Sequence, residues 1–124
     1  MGTLQNNFGT IVDTAIENLI KRVDAEIPES GPFETVYEFI DNTDEATMSY
    51  VGRYSIYVYN MPESVQPDLT KRYIEVAAYS KDSPYKASMA IACGNNQRIK
   101  EFLASPEGRQ DVIDSLKTEA EEIR

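Results

Sequence analysis

Three consecutive segments, MSYVGRYSIYVYN (48–60), TKRYIEVAAYS (70–80) and YKASMAIACG (85–94), decide the fold. Each alternates in period two, with Tyr, Ile and Val at the alternating positions, as in half-buried β-strands. Along the first, Met48, Tyr50, Gly52, Tyr54, Ile56 and Val58 share one face, and Ser49, Val51, Arg53, Ser55, Tyr57 and Tyr59 the other. Gly52 points to a bulge or bend. Along the second, Ile74, Val76 and Ala78 oppose Lys71, Tyr73, Glu75 and Tyr79. Along the third, Ala87, Met89, Ile91 and Cys93 oppose Lys86, Ser88, Ala90 and Ala92. Residues 80–84 are a short turn, so the last two strands are expected to be antiparallel neighbours. A long connection with Pro62 and Pro67 precedes them.

Upstream, FETVYEFI (33–40) alternates as a further strand, placed at a sheet edge because charged residues guard edges. It follows a turn at Ser30-Gly31-Pro32 and precedes a polar loop, 41–47. Before it, Leu4, Phe8, Ile11, Val12, Ala15, Ile16, Leu19, Ile20, Val23 and Ile27 recur at steps of three and four, which makes one helical face. Thr10 with Asp13 suggests a cap, so the helix is expected to begin near Thr10, with the first nine residues loose; Pro28 ends it. Downstream, Gly94-Asn95-Asn96 opens a short helix to about Ala104, and Ser105-Pro106-Glu107 restarts a second one, with Ser as cap and Pro in the first turn. The order is α-β-β-β-β-α-α. This is an α+β class chain, a two-layer arrangement in which a four-stranded antiparallel meander is covered on one face by the helices.

The chain has 124 residues, which suits one domain spanning 1–124. It lacks His and Trp and has one cysteine, Cys93. An internal disulfide is therefore impossible, and a reducing, cytoplasmic location is expected. No signal peptide or membrane span is expected, and Asn6 stands where a myristoylation signal requires Ser or Thr. No metal and no cofactor are expected: zinc would need carboxylates alone, and no nucleotide-binding or hydrolase motif occurs. The net charge is −9, which opposes nucleic-acid binding. The charge is uneven. Residues 1–45 hold ten acids and two bases, residues 46–100 four acids and seven bases, and residues 101–124 seven acids and three bases.

The mildly basic middle is the sheet itself. If one face lies under the helices, the other presents Arg53, Tyr57, Tyr59, Lys71, Tyr73 and Tyr79, a mixture typical of contact surfaces. Tyr is also simply a good strand former, which is the blander explanation. The leading expectation is a non-catalytic protein-binding or adaptor module, chaperone-like in kind, that binds a protein partner or itself as a homodimer through this face. Two alternatives stand beside it. One is a small enzyme or small-molecule binder with a pocket between sheet and helices near Cys93, Tyr50 and Tyr54. There Cys93, preceding a helix, would be the nucleophile, although no His serves as base and its phase with Met89 and Ile91 suggests burial. The other is an acidic nucleic-acid mimic that binds basic proteins. The acids at 41–45 are oxygen ligands of the kind Ca²⁺ accepts, but a solvated loop fits their spacing better.

Overall fold

A computed structural model describes residues 3–41, 49–60 and 69–124, with side chains from Phe8 onward. The expected loop at 42–47, Met48 and the prolines at 62 and 67 lie outside the described residues. Helix α1 (Thr3–Glu26) is followed by β1 (Val36–Asp41), β2 (Val51–Asn60), β3 (Arg72–Ser80) and β4 (Lys86–Gly94). Helices α2 (Asn96–Ala104) and α3 (Pro106–Glu122) close the chain. The strands form one sheet in the order β1-β2-β3-β4, antiparallel throughout. This is the expected α+β meander, with β1 at one edge and β4 at the other.

All three helices pack on one face of the sheet. Val36, Ile40, Ile56, Val58, Ile74 and Val76 are buried there against Val12, Ile16, Leu19 and Val23 of α1 and Val112 and Leu116 of α3. Each such side chain contributes about 1.5–3 kcal/mol by leaving water. Tyr54 joins this core, its ring 5.1 Å from that of Phe8.

Helix α1 begins at Thr3, not near Thr10: it runs straight through Gly9, so the capping residues at 10 and 13 are interior. At the other end the restart is as expected. Ser105 Oγ accepts from Gly108 N at 2.9 Å, and Pro106 opens α3. A Cβ on Gly108 would meet Phe102 O at 1.8 Å, so this tight α2–α3 joint requires glycine.

Two bulges change the side-chain phase. Val51 pairs with Ser80 while Arg53 pairs with Tyr79, so Gly52 is an extra residue and Val51 turns into the core rather than onto the open face. In β4, Ile74 faces Ala92 and Glu75 faces Ala90, which leaves Ile91 over. Ala92 therefore shares the helix side with Met89. Cys93 crosses to the open side opposite Tyr73 and is exposed, which corrects the expectation of a buried thiol.

Arg72 carries the lower end of the sheet. It falls in phase with Ile74 and Val76 and is only 1% exposed. Its Nε donates to Asn96 Oδ1 at 2.9 Å, Nη1 to Leu69 O at 2.9 Å and Nη2 to Pro28 O at 2.6 Å. The Phe33 ring lies 4.8 Å from the guanidinium carbon. Asn96 Nδ2 donates in turn to Ile27 O at 3.0 Å and Pro28 O at 3.1 Å. One guanidinium and one amide thus join the exit of α1, the entry of β3 and the start of α2.

Candidate functional site

The face of the sheet turned away from the helices is covered by no helix or strand among the described residues. Its side chains form cross-strand rows set by the register. Asp41, Arg53, Tyr79 and Lys86 make one row, Phe39, Ser55, Ala77 and Ser88 the next, and Tyr37, Tyr57, Glu75 and Ala90 a third; Tyr59, Tyr73 and Cys93 make the last. Small residues alternate with large ones, and the large ones fold over them. Ser55 and Ala77 are consequently buried on a face that has no helical lid.

At one end, the Arg53 guanidinium lies 4.0 Å from the Phe39 ring centroid and 5.0 Å from that of Tyr79. The Lys86 ammonium sits 5.7 Å from both the Tyr57 and Tyr79 rings. The Tyr57 and Tyr79 hydroxyls are hydrogen-bonded to each other, and Ser55 Oγ donates to Tyr79 OH at 3.1 Å. Burial pushes the Tyr79 phenol above its ordinary value. At the other end, Tyr59 and Tyr73 stack with centroids 5.5 Å apart, and the Lys71 ammonium lies 5.7 Å from the Tyr73 ring. Burial raises the Tyr59 phenol too, with Glu75 adding to the effect. Between the two ends lies a shallow depression of about 390 Å³, lined by Thr35, Tyr57, Tyr59, Glu75 and Lys86. Cations held over ring faces gain about 0.5–1 kcal/mol each at exposed sites and keep their remaining N–H donors free for a ligand.

The structure thus places all six residues expected from sequence on one face, in two groups: Arg53, Tyr57 and Tyr79 at one end and Tyr59, Lys71 and Tyr73 at the other. It adds two that were not expected, Tyr37 and Phe39, which are 43% and 44% exposed. Their signal was present, since they alternate with Val36 and Ile40 along β1. The trio Cys93, Tyr50 and Tyr54 is not brought together. Cys93 lies on the open face near the Tyr59–Tyr73 end, whereas Tyr54 is buried on the helix side near the 80–85 turn. Tyr50 is half-buried, its hydroxyl has no hydrogen-bond partner among the described residues, and desolvation raises its phenol.

Among the described residues, no group of three or more His, Cys, Asp or Glu side chains could hold a metal ion, and no helix is long and apolar enough to cross a membrane. Comparison with known proteins gives no match: no family model fits the chain, and no curated protein or solved structure matches it.

Proposed function

We propose that this chain is a non-catalytic protein-binding module of the cytosol whose contact surface is the open sheet face, and that its partner presents carboxylates beside apolar groups. The observation that carries this reading is the set of rings on an uncovered face with Arg53, Lys71 and Lys86 lying over them. On the helical layer, α3 presents the exposed acids Asp111, Asp114 and Glu122 outside any ion pair among the described residues, while Asp13, Glu17, Asp24 and Glu26 of α1 are paired with Arg109, Lys100 and Arg22. Such a charge distribution steers an acidic partner away from the helices and toward the sheet. Tyr and Arg are also the residues that dominate contact energies, because they offer large rigid area and directed donors. An exposed, unpaired Cys93 beside this face is compatible with a reducing compartment.

The test is differential capture from extracts of the source cells. Wild type is compared with Arg53→Ala/Tyr73→Ser on the face and with Asp111→Asn/Asp114→Asn on α3. The expected result is a partner held by wild type and by the helix variant, lost by the face variant, and weakened by salt. A partner retained equally by the face variant overturns the reading.

A further inference from the structure

The β4 strand is the outer strand on the side away from β1. One hydrogen bond establishes which way its backbone points: Ser80 N donates to Tyr85 O at 2.9 Å. Antiparallel ladders alternate hydrogen-bonded and non-bonded pairs, and here Ala78 faces Ala87 and Val76 faces Met89. Ala87 and Met89 therefore turn their backbone groups toward β3, while Lys86, Ser88 and Ala90 turn theirs outward. These outward groups meet no backbone partner among the described residues. The strand is bare at this point: Lys86, Ser88, Met89 and Ala90 are all exposed, and Met89 is 38% exposed. No acid occurs from Ser83 to Lys100 in a chain that carries 21 of them.

We infer that β4 pairs antiparallel with β4 of a second copy, about a two-fold axis at Ser88. In that register Ser88 faces the partner's Ser88, and Lys86 faces the partner's Ala90. The same three residues on each copy supply every outward group, so the ladder is self-complementary and closes as a dimer. On the helix side, the exposed Met89 covers the partner's Ala87.

Charge fixes the register on the open side. One row there runs Tyr37, Tyr57, Glu75, Ala90. The next place in it falls to the partner's Lys86. Two strand spacings separate that lysine from Glu75, about 10 Å between Cα atoms, and the small Ala90 leaves the path between them open. A lysine side chain that swings outward from its own Tyr57 and Tyr79 rings and a glutamate side chain together span that gap. Neither Glu75 nor Lys86 has an ion pair within the subunit among the described residues. The pairing supplies one to each, twice over by symmetry. It also joins two open faces into one eight-stranded surface. The inference does not rest on the partner-binding reading above.

The test is self-association of the full chain, measured by analytical ultracentrifugation over a wide concentration range. Wild type is expected to pass from monomer to dimer. Lys86→Glu weakens the dimer about tenfold, and adding Glu75→Lys to that variant restores it. Ser88→Pro removes an outward N–H without touching a β3–β4 bond, so it abolishes the dimer while the thermal midpoint is retained. A wild type that stays monomeric overturns the inference. So does a charge-swapped double variant that associates no better than Lys86→Glu, or a folded Ser88→Pro chain that still dimerises. If Ser88→Pro does not fold, the charge swap alone decides. A dimer lost on Tyr59→Ser/Tyr73→Ser but indifferent to the charge swap also overturns it, in favour of face-to-face association.

Discussion

Arg72 and Arg53 stand on neighbouring strands of one sheet, and each has an aromatic ring beneath its guanidinium. Arg72 lies on the helix-covered side, almost without exposure, and three acceptors from three different segments take its N–H groups. Arg53 lies on the open side, exposed, over Phe39 and Tyr79. The chemistry of the side chain is the same; the difference is what water can do for it. A guanidinium cut off from water must be hydrogen-bonded, and losing it strands the groups it served. A guanidinium in water over a ring adds little to stability. The covered face is therefore where the fold resides, and the aromatics of the open face need a reason other than stability.

That contrast can be broken by substitution, beginning with its strongest arm. Arg72→Leu is expected to lose about 3 kcal/mol, roughly 1 kcal/mol for each of the three acceptors, Asn96 Oδ1 and the Leu69 and Pro28 carbonyls, that lose their donor. Arg72→Lys should recover only part of this, since an ammonium cannot serve three divergent acceptors in one plane. Urea unfolding monitored by circular dichroism measures both. A loss below about 1 kcal/mol for Arg72→Leu would mean that the covered side is as tolerant as the open one.

Gly108→Ala comes next. Its methyl would strike the Phe102 carbonyl, so α2 and α3 must separate, at a cost of about 1–3 kcal/mol; the thermal midpoint should fall accordingly. On the open side, Tyr59→Ser with Tyr73→Ser removes a stacked pair and should cost no more than about 0.5–1.5 kcal/mol beyond lost area. If the double variant instead fails to fold, the open rings are structural and the proposed contact surface loses its motive.

The smallest effect should come from Glu119, nearly buried on α3, where desolvation first and Glu122 second raise its carboxyl above the ordinary value. The folded chain then holds a proton that the unfolded chain has already released. Stability accordingly falls as pH rises from the ordinary glutamate value through the raised one. Glu119→Gln should flatten that slope and lift the midpoint slightly at neutral pH, as followed by thermal melts across pH 4–7.

The two sheet edges repeat the lesson of the faces. On β1, Arg22 Nη1 donates to Tyr37 O at 2.6 Å, and Glu26 and Glu38 hold the guanidinium in place, raising it above its ordinary value. That edge is partly capped by its own helix. The edge of β4 carries only Lys86 as a charge beside Ser88 and Ala90 and has no such cap among the described residues, and natural sheets seldom leave such an edge free.

Much of this was legible in the chain. Period-two alternation located four strands, and steps of three and four located α1 and the stripe of α3, because burial on one side imposes those periods whatever the partners are. Strand ends shifted by a residue or more. β1 was expected over 33–40 and spans Val36–Asp41; β2 was expected from Met48, and its described strand starts at Val51. Arg72 was visible as a cation in phase with Ile74 and Val76, but what would satisfy it was not. Its acceptors lie at Pro28, Leu69 and Asn96, from three to 44 positions away.

The sequence by itself determined the order of elements, the antiparallel meander and the set of six residues, Arg53, Tyr57, Tyr59, Lys71, Tyr73 and Tyr79, that share one side, since each follows from local periodicity. Tertiary structure alone decided the side on which Val51 and Cys93 emerge. A bulge is one residue of slippage between two paired strands, and a single strand read alone carries no record of where its neighbour gains or loses step. It also decided which side chains Tyr37 and Phe39 meet on that face, because their neighbours on β2 and β3 are brought to them by pairing rather than by proximity along the chain.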